Sequence, residues 1–214
     1  MKAHLLFLIF AWSSVAATQT DSTYTIPFAT KDNTIELAVA NTSSVTVNQA
    51  VVTVEAVPNW VTFAARSQTI TGLQGSTDKS ATFTFSVSKT APVEKEERIV
   101  FKISANNQQW TKEIKVRVGA PEKFELYRNF PNPFNPSTTI AYQLPVESKV
   151  TLKVYDIRGR EVSTPIKNET RSAGYYEQKI DASHFASGMY IYRLVWIDAQ
   201  GKTQTSSKSM MLVK

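Results

Sequence analysis

The sequence predicts an all-β chain, two tandem immunoglobulin-like antiparallel β-sandwiches behind an N-terminal signal peptide. Three observations carry this. Short stretches alternate apolar and polar residues at a period of two, again and again along the chain. Turn residues fall between them. No run combines a helical period with a capping residue and adequate length. At 214 residues and 42% hydrophobic content, the chain has room for two small globular domains.

The first element is the signal. Lys2 supplies a short positive region, Leu5 to Trp12 an apolar run, and "SVAA" at 14–17 the small residues a signal peptidase needs. Cleavage is expected after Ala17, with Ala16 the close alternative, which makes 1–17 a signal peptide. The run is too short to anchor the chain, since a spanning helix needs roughly 20 apolar residues.

Residues 22–119 form the first predicted sandwich. Its strands are "NTIELAVANTS" (33–43), "QAVVTVEAV" (49–57), "SATFTFSVS" (80–88), "ERIVFKISA" (97–105) and "QWTKEIKVRV" (109–118). Phe83, Phe85 and Val87 alternate with Thr82, Thr84 and Ser86, and Ile99, Phe101 and Ile103 mark one face of the next strand. "NNQ" at 106–108 is a hairpin loop. Pro58 ends a strand and lets Trp60 turn inward as a core anchor.

Gly119 and Pro121 then break the chain, and 120–126 reads as a linker. Residues 127–214 form the second sandwich, with strands "TTIAYQLP" (138–145), "KVTLKVYDI" (149–157), "GYYEQKID" (174–181), "GMYIYRLVWID" (188–198) and "SMMLVK" (209–214). Gly159, Gly174, Gly188 and Gly201 fall between strands, where a residue free to adopt positive φ is needed. Asp156, Asp181 and Asp198 stand at strand ends, the position of turn-capping aspartates.

Composition excludes several classes of function. The chain has no cysteine, hence neither a disulfide framework nor thiolate chemistry, and an exported protein resting on its cores alone suits a bacterial envelope. The net charge of +6 does not imply nucleic acid. In "WTKEIKVRV" the apolar Ile114, Val116 and Val118 share one strand face, and Glu113, Lys115 and Arg117 share the other, a solvated face of mixed sign. Beyond the signal the one histidine is His184. A triad drawn from Ser183, His184 and Asp181 uses sequence neighbours, which rarely point at one another. No His, Cys or carboxylate cluster has metal-ligand spacing, and no phosphate-binding loop is present. The expectation is a protein without catalytic residues, metal or cofactor. Trp60, Trp110, Tyr175, Tyr176, Tyr190, Tyr192 and Trp196 could stack on a polysaccharide, but aromatics of this kind more often fill sandwich cores.

"YRNFPNPFNPSTTI" (127–140) stands apart. Prolines at 131, 133 and 136 forbid a helix and hold the residues before them extended or in turns. A linker would not need Phe130 and Phe134. One of the two is expected to pack into the second domain, making this its entry turn along a sheet edge.

Four ordered blocks, "LYRNFPNPFNPSTTIAYQLP", "VTLKVYDIRGREV", "AGYYEQKIDASHFASGMYIYRL" and the terminal "KSMMLVK", resemble the C-terminal sorting domain of the type IX (Por) secretion system. That domain is itself similar to the immunoglobulin-like domain of flagellar hook-capping proteins. The resemblance covers about residues 124–214. It implies a non-catalytic exported protein that crosses the inner membrane by the general secretion machinery. The outer-membrane type IX translocon then recognises the C-terminal domain, and a sortase-like peptidase often removes it and attaches a glycolipid. The cell surface or medium of a Gram-negative bacterium is the implied destination. By position, the sorting-motif residues are Pro131, Asn132, Pro133, Phe134, Asn135, Pro136, Tyr155, Asp156, Gly159, Arg160, Gly188, Tyr190 and Lys214. Ser209 stands where a second basic residue is common, and "IDASHFASG" replaces the tryptophan–aspartate–glycine motif of hook caps. Two other readings stay open here: an adhesive or carbohydrate-binding sandwich, and a structural envelope or appendage component.

Overall fold

The computed structural model describes the backbone of residues 4–11 and all of residues 23–214. The cleavage position expected at Ala17 lies outside the described residues. The chain divides after Gly119 into two compact units.

The first unit holds β1 (His4–Ala11), β2 (Thr23–Ile26), β3 (Asn33–Asn41), β4 (Val47–Ala56), β5 (Val61–Phe63), β6 (Ser67–Leu73), β7 (Thr77–Val87), β8 (Glu96–Ala105) and β9 (Gln108–Val118). They form two sheets, β1-β3-β7-β5 and β2-β9-β8-β4-β6. The five strands expected from alternation are all present. Ile35, Leu37 and Val39 of β3 and Ile99, Phe101 and Ile103 of β8 are buried in one core. The rings of Phe83 and Phe101 meet at 5.2 Å, and Phe63 stands edge-on to both. Trp60 is buried as expected. Asn106 and Asn107 both take positive φ, 47° and 60°, the primed turn whose twist suits a two-residue hairpin.

Two features depart from the expectation. The pairings of β1 with β3 and of β2 with β9 are parallel, against a wholly antiparallel reading. Strands β2, β5 and β6 also went unread, because four residues, three residues and the mostly exposed "SQTITGL" carry little alternation. On the outer face of β8 and β9 the charges meet across strands, Arg98 with Glu113 at 3.0 Å and Lys115 with Glu96 at 3.7 Å. Such surface pairs add little stability, but they fit a solvated mixed-sign face.

The second unit holds β10 (Glu125–Leu126), β11 (Ser137–Leu144), β12 (Ser148–Asp156), β13 (Glu161–Arg171), β14 (Gly174–Asp181), β15 (Gly188–Asp198) and β16 (Thr203–Leu212). A three-stranded sheet, β10-β11-β14, and a four-stranded sheet, β13-β12-β15-β16, enclose the core. Val150, Leu152 and Val154 of β12, with Tyr192 and Leu194 of β15, are fully buried. The segment 120–126, expected as a linker, is built into this unit over its last residues. Leu126 is buried, Phe124 packs on Trp196 at 5.4 Å, and Gln143 Nε2 donates to the Lys123 carbonyl.

Strand β13 was not legible. Its one fully buried side chain is Ile166, it contains Pro165, and its ladder with β12 shifts register repeatedly. These are the marks of an edge strand guarded against further pairing.

Tyr142 supplies a test of the core. It is 1% exposed and stacks on Tyr176 at 5.4 Å, yet its buried hydroxyl has no hydrogen-bond partner. Burial pushes its pKa up to about 12, so the neutral hydroxyl persists at any ordinary pH. Replacing Tyr142 by Phe removes a desolvated polar atom and no bond. The urea midpoint of Tyr142→Phe is expected to be unchanged or raised, by no more than about 1 kcal/mol in free energy.

Candidate functional site

The proline stretch enters the second unit as a closed loop. Phe130 and Thr139 exchange both backbone bonds at 2.9 Å, which fixes the two ends. The peptide bonds before Pro131 and Pro133 are cis. Inside the loop, the Asn129 side chain donates to the Pro131 carbonyl at 3.0 Å and to Thr138 Oγ1 at 2.9 Å. Thr138 in turn donates to the Pro131 carbonyl at 2.8 Å. Asn129 and Thr138, both buried, thus stitch together a segment whose prolines contribute no N–H.

The loop then straps onto the last strand. The Phe134 amide donates to the Met211 carbonyl and the Val213 amide to the Phe134 carbonyl, each at 3.0 Å. The Met211 amide donates to Asn132 Oδ1 at 3.0 Å. Phe134 is 3% exposed and Phe130 81%, so one phenylalanine of the pair packs into the unit and the other does not. This is an entry turn laid along the edge of β16.

The Tyr155–Arg160 block builds a hairpin turn. Asp156 Oδ1 accepts the amides of Arg158 and Arg160 at 3.0 Å, and Oδ2 accepts Arg160 Nε at 3.1 Å. Partial desolvation pushes this carboxyl's pKa up, but the hydrogen bonds from Arg160 and Arg158 outweigh it and hold the group below the ordinary aspartate range. Gly159 takes φ +77°, a value that admits a side chain only with strain. Tyr155 carries the Arg193 guanidinium over its ring at 5.2 Å.

Register brings these separate blocks to one end of the unit. Asp156 pairs with Tyr190, Tyr190 with Met210 and Gly188 with Leu212, while Phe134 bridges to Leu212. Tyr190 donates to the Ala186 carbonyl at 2.8 Å and packs on Phe185 at 5.2 Å. Lys214 closes the same end, its Nζ donating to the carbonyls of Ser183 and Phe185. The Ala182 amide donates to the Pro136 carbonyl at 3.0 Å. Pro131, Asn132, Pro133 and Asn135 stay exposed beside it. Residues from four stretches of sequence therefore meet at one pole. Sequence reading missed Asn129, Thr138 and Tyr192, which hold that pole together. A polar residue on either side of the prolines was the available signal.

Ser183, His184 and Asp181 lie together on one exposed turn. Ser183 and His184 are exposed, and Asp181 Oδ1 accepts the Ser183 amide at 2.9 Å. That bond, with a further one from the Ser183 side chain and the nearby charges of His184 and Lys179, holds the Asp181 carboxyl below the ordinary aspartate range, and its place at the strand end is that of a turn cap. Asp198 caps its turn in the same way through the Gln200 and Lys202 amides. Among the aromatics, Trp60, Tyr190, Tyr192 and Trp196 are buried, and Trp110 packs against the first core. Tyr175 and Tyr176 are half-buried, the first packed on Tyr127 at 5.9 Å and the second on Tyr142 at 5.4 Å.

Residues 128–211 match the family model described as a secretion system C-terminal sorting domain. No curated protein matches the chain by sequence. Among solved structures, dimeric latent PorU from Porphyromonas gingivalis is 15% identical, over 91% of this chain and 19% of that one, at a TM-score of 0.36. CopC from Methylosinus trichosporium OB3b is 14% identical, over 42% of this chain and 93% of that one, at 0.32. The CupB2 chaperone of Pseudomonas aeruginosa is 13% identical, over 88% and 97%, at 0.31. At such scores these likenesses carry no argument, and the chain spans only 19% of the PorU chain it matches.

Proposed function

We propose, from the match of residues 128–211 to a secretion system C-terminal sorting domain, that this chain is an exported, non-catalytic protein whose second unit is a type IX export address and whose first unit is the passenger. The observation that carries the reading is the sorting-domain match itself. The pole supports it, because residues expected as the sorting motif, from Pro131–Pro136, Asp156 and Tyr190 to Lys214, come together there. The chain crosses the inner membrane by the general secretion machinery and loses residues 1–17 by cleavage after Ala17. The outer-membrane translocon then reads the second unit. A sortase-like peptidase is the agent that removes the address at the surface.

Deleting residues 124–214 and fractionating the producing cells tests the address. The truncated protein is expected to stay in the periplasm while the full chain reaches the surface or medium. Unchanged surface or medium localisation of the truncated chain would overturn the proposal. Intact mass of the surface product reads out whether the second unit has been removed.

A further inference from the structure

The edges of the first unit are protected unequally. Strand β5 is three residues long. Strand β6 carries Gly72 at φ +58°, which interrupts it. Strand β9 bears Lys112, Glu113, Lys115 and Arg117 and is partly covered by β2. Short length, kinks and charge are the usual protections of a sheet edge. Strand β3 has none of them. It runs for nine residues without proline or glycine, and Glu36 is its one charge. On the side away from β7 its partner is β1, paired in parallel from His4–Thr34 through Ala11–Asn41.

Strand β1 lies within the segment that the export reading removes. Cleavage after Ala17 would strip the partner from the whole length of β3. We infer that the mature protein covers this edge with a second copy of itself, β3 against β3 in antiparallel register about a two-fold axis at Leu37. The inference rests on the cleavage reading proposed above.

The sequence of β3 is self-complementary in that register. Leu37 meets its own copy, Ile35 meets Val39, and Asn33 meets Asn41. On the other face Thr34 meets Ala40, and Glu36 meets Ala38 rather than a second Glu36. Asn33, Ile35, Leu37, Val39 and Asn41 are all buried toward the core, so the pairing continues each sheet without turning any of them outward. The ends of β3 are already pinned. Asn33 Nδ2 donates to the carbonyls of Thr30 and Phe85, and Asn41 Nδ2 to those of Val45, Leu73 and Gln74. A two-fold contact of one patch with itself closes on two copies and leaves no growing edge.

Every described core residue of the first unit lies between Ile26 and Val118, so residues 18–214 keep that core. Sedimentation of the 18–214 protein across the micromolar range is expected to show a dimer. Ala38→Glu places a carboxylate opposite Glu36 of the other copy at both symmetry-related positions. It is expected to raise the dimer dissociation constant about tenfold, since like charges directly opposite disfavour pairing. Ala38→Lys places a cation at the same points and is expected to remain dimeric, which separates charge from bulk. A protein of 18–214 that is monomeric throughout overturns the inference, as does a dimer equally strong in the Glu and Lys variants. A monomer that still reaches the surface overturns the pairing and leaves the address standing. An exported protein whose mass retains residues 1–17 overturns the pairing and the cleavage reading together, because β1 then stays on the edge.

Discussion

Phe134→Ala is expected to destabilise the second unit by about 3–5 kcal/mol, the usual cost of truncating a buried phenylalanine. Phe130→Ala, four positions earlier, is expected to change it by less than about 0.5 kcal/mol, as is usual for exposed positions. The two residues flank the same prolines, and what separates them is where the loop puts them. Phe134 is 3% exposed within the core that includes Ile140, Tyr190 and Leu212, and Phe130 is 81% exposed. Truncating Phe134 also loosens what its backbone holds, because its amide and carbonyl bond to Met211 and Val213. Native-state hydrogen exchange separates the effects. Protection at the Phe134 and Val213 amides should fall sharply in Phe134→Ala and stay at the wild-type level in Phe130→Ala. Equal effects of the two substitutions would mean that the loop is not anchored through Phe134.

Much of this was legible because alternation and turn chemistry are local. Strands β14 and β15 carry their boundaries in glycine at one end and aspartate at the other. The aspartates at 156, 181 and 198 cap turns as their positions suggested. What was not legible is non-local or weakly patterned. Strand β13 buries too few side chains to alternate. Strands β2 and β10 are ordered by partners 92 and 16 residues away, as in the Thr23–Lys115 and Leu126–Tyr142 neighbourhoods, where register rather than local sequence defines them. The pole itself could be named residue by residue from a resemblance. Its assembly could not, since the bond from Met211 to Asn132 spans 79 residues. The choice of Phe134 over Phe130 was equally invisible, because each stands between an asparagine and a proline in sequence and what the fold places beneath them is non-local.

Tyr192→Phe is expected to cost about 2–3 kcal/mol, although it removes a single oxygen, because that oxygen serves two backbone groups, one buried and one half-buried. Tyr192 Oη accepts the Asn129 amide at 3.0 Å and donates to the Tyr127 carbonyl at 2.8 Å. It therefore ties the chain just before the prolines to the central strand β15. In the Phe variant both backbone groups lose their partner, and Asn129 is 3% exposed, so water does not readily replace it. The same substitution at Tyr142 is expected to cost nothing, since that hydroxyl has no partner. The pair thus distinguishes hydrogen bonding from burial of an aromatic ring. Alkaline pH offers an independent check. Burial raises the Tyr192 pKa, and the Asn129 amide and Arg128 offset part of that rise. A folded pKa above the unfolded value means that the stabilisation is complete below about pH 10, the unfolded value, and is lost as pH rises through the folded one. The stability gap between wild type and Tyr192→Phe, read from urea unfolding, should therefore be constant through neutral pH and narrow above pH 10. A gap that persists unchanged at high pH would show that the phenolic proton on Tyr192 is not what holds the Tyr127 carbonyl in place.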